Sequence, residues 1–418
     1  MNPRLYEGNT PELFWRLLLE PKPTPEQWAE ATLRAAAILP PAARAQGDQI
    51  EALLACTLGE GQFGSSHWQL SYAQRAYYAL KPVVPRALTH RIRRTYGNHR
   101  ARVLQLRWPI EDRYARFQLD VVAHLLEITA RQSAPFLNFW PEGNQYAFVL
   151  THDIETADGQ RYVEAVADLE AAIGFRSCFY FVPERYRVDL GLMDELRARG
   201  FEVGVHGLNH VDGLFDSCDE FKRQAQRINH YLGQFGAAGF RAPLTQRQPE
   251  WMQDLDIEYD ATFFDTDPYE PIAGGTMSIW PFQLGHFVEL PYTLVQDHTL
   301  AVILGESTPR LWLEKVDFIQ ASHGMALSLT HPDYLRSPRT WRLYADFLRT
   351  MRDRTDYYHA LPKEVASWWR ARANAATVEQ LPSATVACVQ ASQERGGATI
   401  IARRAEVQRS RQDATASR

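Results

Sequence analysis

An alternation of short apolar runs and amphipathic segments constrains the fold of this chain more than any other feature of its sequence. The alternation begins near Pro135, and Tyr146–Leu150 and Cys178–Val182 are uninterrupted apolar runs. The segment between these two runs has helical periodicity and ends at Gly174, a common helix stop. Continuously apolar strands joined by helices are typical of parallel sheets that are covered on both faces. The pattern predicts an α/β fold in which the strands form a barrel.

Chain length predicts further regions around this barrel. The 418 residues exceed one ordinary domain. Residues 1–135 have helical periodicity and caps, such as Thr24 followed by Pro25, and predict a helical N-terminal region. Residues 136–371 hold the barrel pattern. Residues 372–418 become rich in Ala, Arg, Gln and Ser, which predicts a flexible tail.

Composition excludes some partners and favours a compartment. A hydrophobic content of 45% and a charged content of 23% are typical of soluble globular proteins. A net charge of -5 disfavours nucleic acid as a partner. There is no apolar run of spanning length and no secretory signal pattern, and the four cysteines show no metal-finger spacing. We therefore expect a cytoplasmic protein with free thiols.

One basic segment is compatible with a peripheral contact with a membrane. Residues 77–107 are basic and aromatic, and they could dock on anionic lipid or on the phosphates of a carrier-linked substrate. The alternative, which the pattern favours, is a solvated helix face whose arginines pair with nearby acids.

Polar residues with metal-binding chemistry follow two of the apolar runs. Asp153 and Glu155 come after the first run, and His206 and His210 come after residues 201–205. The C-terminal ends of barrel strands build the active site, and two imidazoles with a carboxylate are a zinc-type ligand set. Taken alone, each pair has a simpler reading, because acids also stabilise helix N-termini and two histidines at this spacing occur by chance.

Two further strand ends carry an arginine and a histidine. Arg241 precedes Ala242-Pro243 and could hold a carboxylate in its ionised form through a two-point contact. His331 follows the apolar run 325–330, where an imidazole could act as a general acid. A surface arginine and a capped core histidine are the respective alternatives.

Four motifs in order carry a resemblance to a known family. They are Leu150-Thr151-His152-Asp153-Ile154-Glu155, His206-Gly207-Leu208-Asn209-His210, Phe240-Arg241-Ala242-Pro243 and Leu329-Thr330-His331. Over residues 145–335 the chain resembles the NodB-homology polysaccharide deacetylases, which form carbohydrate esterase family 4. The resemblance implies a distorted (β/α) barrel and a divalent metal ion, with zinc as the expected ion. It also implies that Asp153 is the general base, that Arg241 holds it, that His206 and His210 bind the metal, and that His331 is the general acid.

The chain departs from the family pattern at two positions. Family members often have adjacent aspartates in the first motif, whereas Ile154 follows Asp153 here. The third protein ligand is therefore expected to be Glu155, with His152 as the fallback. Leu244 replaces a tyrosine after the proline of the third motif, although a backbone N–H at that position could still hold an oxyanion.

The substrate-binding wall is predicted from an acidic and aromatic segment. Asp265 or Asp267 is the expected partner of His331, and Trp280 and Tyr292 could stack on a sugar ring. Buried aromatic side chains are the commoner explanation for the last two residues.

These features predict a hydrolase that removes an acetyl group from an N-acetylated sugar, which is either a carbohydrate or a lipid-linked or nucleotide-linked precursor. Metal coordination would activate water, Asp153 would accept its proton and His331 would protonate the departing amine. One alternative keeps the fold and the metal but takes a small non-sugar amide. Another is a carbohydrate-binding barrel without turnover.

Overall fold

The computed structural model describes residues 2–64, 67–68, 86–210, 213–375, 377–391 and 398–401. The α-helices, numbered in chain order, are α1 Pro11–Trp15, α2 Pro25–Ala35, α3 Pro41–Arg44, α4 Ile50–Leu58, α5 Arg86–Val103, α6 Arg113–Ile128, α7 Ala157–Gln160, α8 Val163–Ile173, α9 Leu190–Ala198, α10 Cys218–Phe235, α11 Arg310–Ala321, α12 Pro332–Leu335, α13 Pro338–Arg352 and α14 Pro362–Asn374. The strands are β1 Ser133–Leu137, β2 Tyr146–Ile154, β3 Cys178–Phe181, β4 Glu202–His206, β5 Gly239–Arg241, β6 Tyr259–Asp260, β7 Phe282–Leu284, β8 Phe287–Glu289, β9 Met325–Thr330, β10 Tyr357–His359, β11 Val386–Ala391 and β12 Ala398–Ile401. Short 3-10 turns and one π-helical segment, His298–Ile303, connect them.

A curled, mostly parallel sheet is the centre of the fold. Strand β2 pairs with β9 along one edge, while β3 and β10 share its other edge. Strands β4, β5, β6 and β8 follow β3 in parallel, and β7 is antiparallel to β8. Every residue of β2, β3, β4 and β9 is buried, as continuously apolar strands require. The predicted α/β class is confirmed.

The sheet closes into a barrel through an irregular segment. Beyond β8, the backbone N–H groups of Thr293 and Leu294 donate to the carbonyl of Leu327 in β9, at 3.1 and 3.0 Å. The Thr293 hydroxyl adds a bond to the Met325 carbonyl at 2.7 Å. The predicted distorted (β/α) barrel is therefore confirmed, and the distortion lies where loop backbone takes the place of a strand.

The apolar runs 257–264 and 287–293 predict two further strands, but the strands formed there, β6 and β8, are shorter than these runs. The Asp260 carboxylate accepts bonds from the Thr262 N–H at 3.0 Å and from the Thr262 hydroxyl at 2.7 Å, which turns the backbone out of the sheet. Strand β8 ends at Glu289, two residues before Pro291, which has no N–H for a sheet hydrogen bond.

The N-terminal helices pack on one side of the barrel. Helix α2 begins with a reciprocal cap between Thr24 and Gln27, as its sequence predicts. A buried ion pair joins this region to the barrel, since Arg247 Nε and Nη2 donate to the two carboxylate oxygens of Glu60 at 2.5 and 2.6 Å. This contact positions the N-terminal region beside the ends of the barrel strands.

The prediction of a flexible tail from residue 372 is wrong for its first part. Helix α14 continues to Asn374, and strand β11 pairs antiparallel with β1 and then with β12. The fully buried Arg372 donates to the carbonyls of Phe14, Leu137 and Asn138. This segment is ordered because β1 offers it a sheet edge, which composition does not reveal. Residues 402–418 lie outside the described residues.

The basic segment predicted for docking is only partly described, since residues 77–85 fall outside the described ranges. In its remainder, Arg93 and Arg100 contact the barrel, and Arg107 pairs with Asp112. Docking on anionic lipid stays a prediction. In the described part of the chain, no helix combines the length and apolar character needed to cross a bilayer.

Candidate active site

Asp153 and Arg241 meet at the ends of two barrel strands. Arg241 Nη1 lies 2.9 Å from Asp153 Oδ1, while its Nη2 donates to the Thr151 hydroxyl at 3.0 Å and its Nε donates to the Ala261 carbonyl at 2.6 Å. The guanidinium also lies over the ring of Tyr180 at 4.6 Å. Burial would raise the pKa of Asp153, but Arg241 outweighs it and holds that pKa below its ordinary value. Asp153 is therefore an ionised carboxylate with a fixed orientation.

Glu155, His206 and His210 place three donor atoms within 4.8 Å of one another. His206 donates from Nδ1 to the Arg241 carbonyl at 3.0 Å, which directs Nε2 towards the cleft. That Nε2 is buried and has no hydrogen-bond partner among the described residues. Burial lowers the pKa of His206 to about 4, so the imidazole is neutral, which is the form that binds a metal. Two imidazoles and a carboxylate suit zinc, and the donor set fits the implied ion.

A tight turn brings His210 back to His206. Gly207 has a φ of 58°, and a Cβ on it would lie 2.3 Å from the Pro243 ring. Only glycine fits this turn, and His210 itself takes a φ of 55°. His210 Nε2 then lies 2.9 Å from Glu155 Oε1. Burial would raise the pKa of Glu155, but His210 outweighs it and holds that pKa well below its ordinary value.

His331 is oriented by an acid that the sequence analysis missed. Asp297 accepts from His331 Nδ1 at 2.8 Å and from the His331 backbone N–H at 2.9 Å. The other ring nitrogen, Nε2, lies 3.6 Å from Glu155 Oε1. Burial would lower the pKa of His331, but the Asp297 carboxylate raises it to about 10. His331 therefore holds a proton in the cleft at neutral pH.

One cleft of about 170 Å³ is lined by Asp153, Glu155, His206, His210 and His331. Its other walls come from Arg93, Ala242, Leu244, Thr245, Glu270, Pro271, Gln296, His298, Leu329 and Tyr334. Leu244 and Thr245 have φ values of 55° and 50°. Non-glycine residues in this region are strained, and such strain persists where the surrounding structure enforces it, often at functional sites.

Three predictions about supporting residues are wrong. Asp265 forms a buried ion pair with Lys315 at 2.8 Å, so it does not partner His331. Asp267 accepts from the Tyr269 N–H at 2.7 Å, and it does not contact His331 either. His152, the fallback ligand, is fully buried with its ring nitrogens 2.7 Å from Glu170 and from the Thr330 hydroxyl. Asp265 and Asp267 are both buried, and the adjacent Phe264 forms an isolated bridge with Tyr292 of the closing segment.

The aromatic residues predicted to stack on a sugar do not line the cleft. Trp280 is buried and donates to the His323 carbonyl at 2.8 Å, at the opposite end of β9 from His331. Tyr292 is buried against Phe264, with ring centroids 5.2 Å apart. Both belong to the core, which was the alternative interpretation. Among the described residues, Tyr334 is the Phe, Tyr or Trp side chain that lines the cleft.

A sequence signal for Asp297 exists in retrospect. Gln296-Asp297-His298 follows the apolar run that begins at Phe287, so it repeats the pattern of polar residues after a strand. Irregular backbone between β8 and Asp297 hides this relation, because the run ends in a loop. Arg93 carries no comparable signal, since it lies on a helix far from the barrel in sequence.

The barrel is similar in structure to solved polysaccharide deacetylases and related hydrolases. A proposed polysaccharide deacetylase from Mycobacterium smegmatis matches with a TM-score of 0.47 and 18% identity, over 56% of this chain and 93% of that one. PuuE allantoinase matches with a TM-score of 0.47 and 13% identity, over 56% of this chain and 92% of that one. A pseudoenzyme of carbohydrate esterase family 4 from Bacillus anthracis matches with a TM-score of 0.36 and 16% identity, over 54% of this chain and 66% of that one.

No protein-family model matches the sequence, and no curated protein matches it significantly. The structural matches are also low in both identity and TM-score.

Proposed function

We propose that this chain is a metal-dependent amide hydrolase that removes an acetyl group from an N-acetylated sugar. One observation carries the proposal. An ionised carboxylate, Asp153 on Arg241, and a protonated imidazole, His331 on Asp297, flank a set of three donor atoms that suits a metal ion. Hydrolysis of an amide requires a base for water and an acid for the amine, together with stabilisation of the charge on oxygen.

Different residues of the chain carry out the separate steps of this hydrolysis. A divalent ion bound by Glu155, His206 and His210 would polarise the amide carbonyl and lower the pKa of a water molecule. Asp153 accepts the proton of the attacking water, and Arg241 keeps the carboxylate ionised and oriented. His331 donates its Nε2 proton to the amine nitrogen as the carbon–nitrogen bond breaks. Asp297 supports that transfer by holding the Nδ1–H of the same ring.

The sugar as substrate is supported by the four motifs and their resemblance to the polysaccharide deacetylases. The cleft is consistent with a small acyl group, since it is about 170 Å³ in volume.

Acetate release from N-acetylglucosamine oligomers, measured with zinc, tests the proposal. A chelator is expected to abolish the release and added zinc to restore it. Release that persists at full rate after metal removal would overturn the mechanism.

Metal content tests the ligand set separately. Glu155→Gln is expected to weaken zinc binding at least roughly 10- to 100-fold, because losing a ligand costs no less than losing a ligand's supporting partner. Elemental analysis and zinc titration measure this, with Glu164→Gln as a matched control at an exposed carboxylate. Full zinc retention by Glu155→Gln would remove Glu155 from the ligand set.

A further inference from the structure

A residue of the N-terminal region, Arg93 on helix α5, lines the cleft of the candidate active site. Its Nη1 lies 3.4 Å from His298 Nε2, and its Nη2 donates to the Tyr269 carbonyl at 3.4 Å. Arg93 is half-buried, whereas Arg91 and Arg94 of the same helix are exposed. One arginine of the basic helix thus enters the cleft.

Helix α5 is held in place by specific contacts on the cleft wall. Arg100 donates to the carbonyls of Glu270 and Pro271 at 2.7 and 3.0 Å. The Tyr269 hydroxyl donates to Asn98 at 2.8 Å. Gly97 allows the close approach, since a Cβ there would lie 2.3 Å from the Tyr269 ring. The position of Arg93 is therefore set by packing that does not involve its own guanidinium.

The charge of Arg93 is not balanced by an ion pair with any described residue, because no described carboxylate lies within 4.0 Å of the guanidinium. The cleft-wall acid Glu270 is engaged elsewhere, with its two oxygens accepting from Gln296 Nε2 at 2.5 Å and from the Thr245 hydroxyl at 2.9 Å. Burial raises the pKa of Glu270, and the positive charge of Arg93 opposes this shift. A planar guanidinium that lines a cleft and has no ion-pair partner among the described residues is suited to bind a carboxylate or a phosphate.

Ring contacts relate Arg93 to the general acid of the proposed reaction. The His298 ring lies 5.0 Å from the Tyr334 ring, and the Tyr334 ring lies 5.3 Å from the His331 ring. Arg93 is thus connected to His331 through the rings of His298 and Tyr334. His331 faces the departing amine in the proposed mechanism, so Arg93 lies on the amine side of the scissile bond.

We propose that Arg93, beside His298, binds an anionic group carried by the amine half of the substrate. The preferred substrate is then an N-acetylated sugar bearing a carboxylate or a phosphate, and the anion stays on the amine product. This inference rests on the proposed function for the identity of the scissile bond. The anion-binding property itself depends only on the cleft around Arg93.

Paired substrates test the preference. Acetate release is measured on N-acetylglucosamine, on N-acetylglucosamine phosphate and on N-acetylglucosaminuronic acid, with the zinc-loaded full chain. Wild type is expected to favour at least one charged sugar, and comparison of the two charged substrates identifies the anion. In Arg93→Gln, the ratio of kcat/KM for the charged sugar to that for the neutral sugar is expected to fall roughly 10- to 100-fold. The same ratio for Arg93→Lys is expected to lie between those of wild type and Arg93→Gln.

The matched control is Arg91→Gln, which removes an exposed charge from the same helix. It is expected to leave the ratio within about twofold of wild type, because exposed charges at a distance are screened by salt. A wild-type preference for the neutral sugar, or equal losses in Arg91→Gln and Arg93→Gln, would overturn the inference.

Direct binding of inorganic phosphate separates this inference from the proposed function. Calorimetric titration of the zinc-loaded chain is expected to show affinity that falls at least roughly tenfold in Arg93→Gln and is unchanged in Arg91→Gln. Equal phosphate affinity in wild type and Arg93→Gln would overturn the anion site even if acetate is released. Absence of acetate release from every sugar, with Arg93-dependent phosphate binding intact, would instead overturn the proposed function alone.

Discussion

Two buried arginine–carboxylate pairs in this molecule have different geometries. In the pair that joins the N-terminal region to the barrel, both oxygens of Glu60 accept from Arg247, and Oε1 also accepts from the Gly275 N–H at 2.6 Å. In the cleft, Arg241 bonds only Oδ1 of Asp153, and Oδ2 faces His206 Nε2 at 3.6 Å. One carboxylate is saturated by protein donors, and the other keeps an oxygen for the cleft.

The difference separates a structural ion pair from a candidate catalytic one. Arg247 lowers the pKa of Glu60 to about 2 against the opposing effect of burial, and Arg241 likewise lowers the pKa of Asp153. Both acids are therefore ionised, so ionisation alone does not mark a catalytic base. A base must also have a lone pair that a water molecule can reach, and Asp153 has one at the edge of the cleft.

The largest effect is expected from removing the charge in the cleft. Asp153→Asn keeps an oxygen for Arg241 Nη1 but removes the base, so kcat/KM is expected to fall roughly 100- to 10,000-fold. Steady-state acetate release measures the loss. Zinc content at the wild-type level is the control, since Asp153 is not in the proposed ligand set. Activity within a factor of a few of wild type would show that the open oxygen of Asp153 has no catalytic role.

Disrupting the Arg247–Glu60 pair is expected to lower the stability of the fold. Glu60→Gln leaves the buried Arg247 without a counter-charge, and we expect a loss of about 3–5 kcal/mol in the free energy of unfolding. Urea denaturation with an unchanged m-value measures it. Glu51→Gln, at an exposed position of α4, is the matched control and should lie within about 0.5 kcal/mol of wild type. If Glu60→Gln were as stable as this control, the pair would not hold the two regions together.

Asp267 is a third buried acid, and it has no arginine partner among the described residues. We expect it to have a smaller effect, on the pH dependence of stability. Burial and the neighbouring Glu270 raise the pKa of Asp267 to about 8. Because this value exceeds the ordinary one, the folded protein retains the proton. The resulting stabilisation is complete below about pH 4 and is lost as pH rises through 8.

Asp267→Asn removes this titration. Its stability relative to wild type should rise with pH by up to about 1.4 kcal/mol per pH unit between pH 5 and about pH 8. Urea denaturation across this range measures the difference, with the exposed Asp194→Asn as control. A difference between Asp267→Asn and wild type that does not vary with pH would show that Asp267 is ionised in the folded protein throughout.

Local pattern was sufficient for part of the fold and part of the site. The runs that became β2, β3, β4 and β9 were predictable because each strand is buried on both faces, which leaves a continuous apolar signature. The positions of Asp153, His206 and His331 follow from the same signature, since each lies at the end or just beyond such a strand. Their catalytic and metal-binding roles stay predictions.

Other parts depended on contacts that no local pattern encodes. Asp297 follows an irregular closing segment, and the ordered strand β11 forms only because β1 presents an edge to it. Trp280 and Tyr292 have the composition of a sugar-binding wall, yet packing buries both.

The amino-acid sequence by itself determined the barrel class and which side chains lie at the strand ends, because apolar periodicity and strand direction are local properties of the chain. Only the tertiary structure decided that Asp297 partners His331, that Arg241 leaves one oxygen of Asp153 open, and that Arg93 enters the cleft. Each of these is a contact between residues more than thirty positions apart. Closure of the barrel and docking of the N-terminal helices bring these residues together, and the local sequence around the site predicts neither event.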